Sequence, residues 1–139
     1  MQTEQGILFM KPIKKIKIND NLETDETGNK KGRIYLNRLS KNFSTDEIKS
    51  YFIKFEKGSQ SKVHIHDSDQ MIVGMKGVGQ IEIFSKIDGQ NGFETKEFLE
   101  LKEYESVLIP SGTPYWYGAR KNHESTQMSF MKNGNTWFD

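Results

Sequence analysis

Two histidines separated by one residue, His64 and His66, lie in the stretch that most constrains this chain. Side chains two positions apart on a β-strand project from the same face, so both imidazoles would point to one side of a sheet. A tight polar turn, 67–69, follows, and Gln70 then opens an apolar run that is typical of a returning strand. If this hairpin closes, the Gln70 amide oxygen can sit beside the imidazoles as a third ligand. Such a donor set suits a divalent metal such as Fe, Mn, Zn or Ni.

The composition excludes several classes of function. The 139 residues carry 20 basic and 19 acidic side chains, and no block of like charge exceeds a few residues, which argues against a nucleic-acid or membrane-surface role. There is no cysteine, so His, Gln, Tyr, carboxylates or water must hold any metal. The N-terminus lacks the apolar core of a signal peptide, and no apolar run reaches membrane-spanning length. We therefore expect a cytoplasmic protein.

Short alternating runs separated by turn signals, without a convincing helix, predict an all-β fold. We predict a single domain whose barrel core covers about 33–132, with an exposed loop over 19–31. A first edge strand is expected over 7–18. We expect a C-terminal tail, 133–139, whose aromatic side chains dock on the outside of the barrel or on a partner chain. The methionines at positions 71, 75, 128 and 131 are interpreted as core residues.

The histidine stretch resembles the first motif of the cupin superfamily, which runs glycine, five residues, His-x-His, three or four residues, glutamate, six residues, glycine. Gly58, His64, His66, Gln70 and Gly77 match that spacing, with glutamine at the usual glutamate position. The resemblance implies a double-stranded β-helix, or jelly-roll barrel, that binds one divalent metal ion and a small molecule. It also implies a homodimer.

The second cupin motif, Pro-x-Gly-x-x-His, is matched by Pro110 and Gly112, and Tyr115 stands at the usual position of the fourth ligand, a histidine. Near a divalent cation, Tyr115 could lose its proton and coordinate, or stay protonated as a general acid or substrate donor. It could equally be an aromatic wall residue in a barrel that no longer binds metal. If the motif is aligned correctly, Tyr115 and Tyr117 share a face and Trp116 points away.

Other polar residues are weaker candidates. Glu82 lies in an alternating strand and is a candidate catalytic acid or base if its side chain points into the barrel. Asp67 and Asp69 are expected to shape the turn and to orient the histidines as hydrogen-bond acceptors. His123 lies in a polar turn and is expected to be exposed to solvent.

Two functions remain open. The first is a metal-dependent cupin enzyme of the oxygenase, isomerase or lyase type. The second is a non-catalytic module that binds a small ligand in a barrel with a degenerate metal site. Dimer formation, through the N-terminal strand and the C-terminal aromatic residues, is compatible with both.

Overall fold

Strands make up most of the computed structural model, which describes residues 13–18, 22–24, 30–89 and 91–138. Its elements are β1 (Glu23–Thr24), β2 (Lys30–Lys31), β3 (Ile34–Arg38), α1 (Leu39–Asn42), β4 (Ile48–Phe55), β5 (Gln60–Ser61), β6 (His64–His66), β7 (Gln70–Gly77), β8 (Gly79–Lys86), β9 (Phe93–Leu101), β10 (Ser106–Ile109), β11 (Tyr115–Ala119), β12 (Ser125–Lys132) and β13 (Thr136–Phe138). The only helix in these described ranges is the single turn α1, which is too short to cross a membrane.

The strands form two antiparallel sheets. The first sheet has the order β1-β3-β4-β12-β7-β10. In the second sheet, β11 pairs with β5 and β6 on one side and with β8 on the other. β13 extends this sheet beside β6, β2 extends it beside β5, and β9 extends it beside β8. The expected all-β jelly-roll class is therefore confirmed.

The core lies between the inner faces of the two sheets, because strand residues alternate between buried and exposed positions. One buried cluster surrounds Tyr115 and comprises Ile72, Ile81, Leu101 and Ile109. A second cluster comprises Ile34, Ile53, Phe55 and Ala119. Tyr117 packs against both clusters and lies between them.

Three expectations about the chain ends need correction or lie outside the described residues. Residues 13–18 form no strand, and the rest of the predicted edge strand, 7–12, is outside the described residues. The predicted loop 19–31 contains β1 and β2, each only two residues long, while its residues 19–21 and 25–29 lie outside the described residues. The tail is not confined to the outside of the molecule, because β13 pairs with the histidine strand β6.

Three of the four methionines expected in the core are on outward faces, and one of them is the half-buried Met128, which alternates with buried residues of β12. Gln70, Ile72 and Gly74 are buried, so the alternation of β7 turns Met71 and Met75 outward, where they are 44% and 38% exposed. Met131 is buried on the inner face of β12, as expected.

Candidate metal and ligand site

β6 places the two histidines on the inner face of the second sheet. His64 and His66 are buried, and their rings lie 4.8 Å apart between centroids, nearly perpendicular at 81°. The strand is positioned by β11, which pairs Tyr115 with His64 and Gly118 with Gln60. A side chain at Gly118 would clash with the Ser59 carbonyl, because its Cβ would lie 2.2 Å from that oxygen. The glycine thus lets β5, and the histidines after it, approach β11.

Hydrogen bonds fix the orientation of each imidazole. Nδ1 of His64 lies 2.8 Å from the carbonyl oxygen of Lys62, which can only accept, so this nitrogen carries the proton and Nε2 keeps a free lone pair. Nδ1 of His66 lies 2.7 Å from Oγ1 of Thr136. Nε2 of His66 is buried and has no hydrogen-bond partner among the described residues. Both rings therefore have a nitrogen available for a ligand.

Burial keeps the two rings neutral. Loss of solvent lowers the pKa of His64 from 6.5 to about 4, against the opposing effect of its hydrogen bond to Lys62. Loss of solvent also lowers the pKa of His66 to about 4, and the nearby His64 and Lys49 act in the same direction while Asp67 opposes them. Neutral imidazoles are the form that binds metals.

Gln70 faces the same interior from the first sheet. It opens β7, is 1% exposed, and pairs directly with Ile109 and Met131. Direct cross-strand partners share a face, and Ile109 packs in the cluster around Tyr115, so the Gln70 side chain enters the interior on the side of that tyrosine. Neither its amide oxygen nor its amide nitrogen has a hydrogen-bond partner in the described part of the chain.

Tyr115 lies against the histidines with its hydroxyl unpaired. Its ring centroid is 4.4 Å from that of His64 and 6.0 Å from that of His66. The residue is fully buried, and the described residues provide no partner for its hydroxyl. Burial, followed by the electrostatic effect of the neighbouring Tyr117, raises the pKa of Tyr115 well above its ordinary value of 10, so without a cation beside it the phenol stays protonated. Tyr117 shares this face, with its ring 5.9 Å from that of Tyr115.

The donor set fits a divalent metal. A buried polar atom without a partner costs about 1–3 kcal/mol, and this interior holds such atoms on His66, Gln70 and Tyr115. A cation bound between them would give both the imidazole nitrogen and the amide oxygen a partner. Among the described residues no three His, Cys, Asp or Glu side chains form a cation-binding group. A metal here would therefore depend on the glutamine and the tyrosine in addition to the histidine pair.

An apolar cavity of about 320 Å³ opens beside the histidines. Its lining comprises Ile34, Leu36, Lys49, Tyr51, Ile53, Phe55, Ser61, His64, His66, Tyr117, Met131, Thr136 and Phe138. Sequence reasoning missed Lys49, Thr136 and Phe138 as site residues. The inward position of Lys49 can be predicted from the sequence, because this residue precedes the inward-facing Tyr51 by two positions on the same strand. Nothing in the sequence indicates that the C-terminal strand pairs with β6.

Glu82 is not part of this site, and its prediction as an inward-pointing acid or base is wrong. It pairs directly with Trp116, which lies on the face of β11 opposite to Tyr115. Nε1 of Trp116 donates to Oε1 of Glu82 at 2.7 Å, and Thr95 Oγ1 donates to the other carboxylate oxygen. Ile81 and Ile83 occupy the inward positions of β8 instead, so the alternation of this strand turns Glu82 away from the histidines.

The two aspartates of the turn hold neighbouring segments instead of the imidazoles. Oδ1 of Asp67 accepts from the backbone N–H of Asn135 at 3.0 Å, and Oδ1 of Asp69 accepts from that of Ser111 at 2.8 Å. These bonds tie the turn to the segment before β13 and to the turn before β11. His123 is exposed in the turn between β11 and β12 and does not line the cavity, as expected.

Comparison with known proteins supports the fold. The structure resembles a cupin-like protein from Thermotoga maritima, with TM-score 0.67 and 20% identity over 87% of this chain and 89% of that chain. It resembles the polyketide cyclase RemF from Streptomyces resistomycificus, with TM-score 0.67 and 12% identity over 91% and 85% of the two chains.

A further similarity is to the oxalate decarboxylase of Bacillus subtilis, a protein described with Mn(II) centres, with TM-score 0.61 and 16% identity. The match covers 84% of this chain but only 29% of that chain. No curated protein matches the sequence. Residues 21–137 match the family model described as Cupin, and the chain therefore belongs to the cupin family.

Proposed function

We propose that this protein is a metal-dependent enzyme that acts on a small organic molecule, of the oxygenase, isomerase or lyase type. One observation supports this most: His66, Gln70 and Tyr115 direct unpaired buried atoms into an interior that also holds the neutral His64. The cost of leaving such atoms unpaired favours a bound partner. Two structurally similar proteins are named as a polyketide cyclase and a manganese-containing decarboxylase, which is compatible with this class.

In this proposal His64, His66, Gln70 and Tyr115 hold one divalent ion, which is Fe, Mn, Zn or Ni. When bound, the ion supplies Lewis-acid chemistry, or redox chemistry if it is iron or manganese. The neutral glutamine in place of a carboxylate leaves more positive charge on the site.

The protein side chains have separate tasks. Tyr115 has two alternative roles: it coordinates the ion through its deprotonated oxygen, or it stays protonated in its buried setting and donates its proton to substrate. The amide nitrogen of Gln70 needs an acceptor, which a substrate oxygen would provide. Phe55, Tyr117 and the rest of the apolar lining exclude water from the bound substrate.

A second candidate is a non-catalytic binding module, and one observation favours it. With Glu82 turned outward, no Asp or Glu lines the cavity among the described residues. A site without a carboxylate has no negatively charged metal ligand. It also lacks the carboxylate that commonly accepts a hydrogen bond from a metal-binding or catalytic histidine. The same cavity would still hold a small ligand.

Metal-dependent turnover separates the two functions. Protein stripped of metal and reloaded with Fe, Mn, Zn or Ni would be screened against small organic acids, alcohols and ketones by oxygen uptake and substrate mass. The enzyme proposal predicts turnover that His64→Ala abolishes and His123→Ala, at an exposed histidine outside the cavity, preserves. Ligand binding to metal-free protein, without turnover by any loaded form, would favour the module.

Two expectations from the sequence stay predictions. Light scattering on purified protein checks the homodimer, and cell fractionation checks the cytoplasmic location.

A further inference from the structure

One cation faces the apolar cavity. Lys49 is the second residue of β4, and it shares the inward face with Tyr51, Ile53 and Phe55. Among the described residues that line the cavity it is the only Lys, Arg, Asp or Glu. A lysine at an inward position of an otherwise apolar strand face is unusual, since an ammonium group loses solvation there.

The structure provides this ammonium group with only partial compensation. Nζ of Lys49 donates to the carbonyl oxygen of Gly134 at 3.1 Å. The ion pairs seen in the described part of the chain, Glu100 with Lys102 and with Arg120, do not involve it. The side chain has two further N–H groups and a full charge for which an anion would be the natural partner.

Lys49 also lies on the histidine side of the cavity. Thr136 and Phe138 pair with His66 and His64 across β13 and β6, and both line the cavity with Lys49. The charge of Lys49 is close enough to His66 to act on its pKa. An anionic group held by Lys49 would therefore lie beside the histidines that hold the metal in the function proposed above.

The rest of the cavity sets the shape of the ligand. Its volume of about 320 Å³ is at the lower end of the ~300–1,000 Å³ range of small-molecule sites. Phe55 and Tyr117 meet edge to face, 5.4 Å between centroids, and form an aromatic surface, with Phe55 at the opposite end of β4 from Lys49. Such a lining accommodates one ring or a branched aliphatic chain. A single lysine is a better partner for a monoanion than for a phosphate, because a phosphate is usually bound by several hydrogen-bond donors.

We propose that the ligand of this site is a small organic carboxylate with a ring-sized apolar body, whose carboxylate is held by Lys49 beside the histidine pair. This proposal rests on the function proposed above for the location of the chemistry. The recognition of the carboxylate by Lys49 does not require the metal.

Matched pairs of probes test the proposal. Phenylacetate and phenylacetamide differ in charge but hardly in shape, as do cyclohexanecarboxylate and cyclohexanecarboxamide. Their dissociation constants would be measured by calorimetry and ligand-observed NMR, on zinc-loaded and on metal-stripped protein. The proteins compared are the wild type, Lys49→Met, Lys49→Arg and, as a control, Lys54→Met, which lies on the same strand but at an exposed position.

We expect the wild type to bind at least one carboxylate about tenfold or more tightly than its amide, because a charge-assisted bond replaces a neutral one. This preference should persist in metal-stripped protein, disappear in Lys49→Met, and remain in Lys49→Arg and Lys54→Met. A structural role for Lys49, through Gly134 alone, would lower thermal stability but leave the ratio of the two constants unchanged.

Equal binding of acid and amide, an unchanged preference in Lys49→Met, or no binding of any probe at millimolar concentration would overturn the proposal. If the metal proposal alone were wrong, the binding data would show a different pattern. In that case zinc would not alter any dissociation constant, while the preference for carboxylate in the wild type would still depend on Lys49.

Discussion

Oγ1 of Thr136 lies 2.7 Å from Nδ1 of His66, so the C-terminal strand orients one of the two histidines. The strand pairing places Thr136 directly opposite His66 and Phe138 opposite His64. Hydrogen-bond partners of this kind fix the tautomer and ring orientation of metal-binding imidazoles. The last residues of the chain thus belong to the candidate site.

Replacing Thr136 by valine should weaken metal binding while keeping the fold. Valine has nearly the same shape but cannot bond to Nδ1, and loss of such a partner typically costs about 10–100-fold in metal affinity. Competition titration with a chromogenic chelator measures the effect. Thr126→Val, at a position on the outward face of β12, should leave the affinity unchanged. Equal affinity in all three proteins would show that Thr136 does not position the ligand.

Tyr115 offers a direct test of the fourth ligand. A buried phenol with a raised pKa is a poor donor, whereas a neutral imidazole is a good one. Tyr115→His should therefore raise metal affinity by about tenfold or more, and Tyr115→Phe should lower it. Tyr104→His, at an 85% exposed position, is the control for an added histidine. If affinity were the same with tyrosine, histidine and phenylalanine at position 115, this side chain would be only an aromatic wall.

Glu82→Gln should affect stability and not the site. The variant loses a charge-assisted bond to Trp116, which should lower the free energy of unfolding by about 1 kcal/mol. Metal affinity and ligand binding should stay at wild-type values, because Glu82 and the histidines lie on opposite faces of the sheet. Urea unfolding measures the first quantity, with Glu97→Gln at an exposed position of β9 as the control. A large loss of metal or ligand binding at unchanged stability would show that Glu82 takes part in the site.

The histidines make the metal-free protein sensitive to acid. Burial lowers the pKa of both His64 and His66 to about 4 in the folded state, from an ordinary value of 6.5. The unfolded chain therefore binds more protons between these values, and the free energy of unfolding falls as the pH falls from 6.5 toward 4. Above this pH range both imidazoles are neutral in the folded and the unfolded state, so they do not make the free energy of unfolding depend on pH. Urea unfolding of metal-stripped wild type and His64→Gln across this range should show a shallower decline for the variant. Parallel curves would contradict the assignment.

Local patterns predict part of the site. The spacing of His64 and His66 places both rings on one face, and Tyr115 and Tyr117 share a face with Trp116 turned away, as expected. These relationships depend only on the alternation of side chains along one strand. The all-β class follows for the same reason, because each strand carries its own pattern of buried and exposed residues.

The pairing of distant strands is what the sequence does not reveal. Thr136 and Phe138 reach the cavity because β13 adds to β6, which lies about 70 positions earlier, and no local pattern specifies that partner. The sequence leaves the direction of the Glu82 side chain open, because the alternation of one strand does not specify which of its two faces meets the core. The isoleucines on either side of it settle this only when they are seen in the cluster around Tyr115.

Elemental analysis of the purified, tag-free protein tests the central claim most directly, with His64→Ala and His123→Ala measured beside the wild type. Samples would be analysed as isolated and after loading with Fe, Mn, Zn and Ni followed by removal of free metal. We predict about one metal ion per chain in the wild type and His123→Ala, and none in His64→Ala. Wild-type protein that retains no metal under any of these conditions would contradict the account.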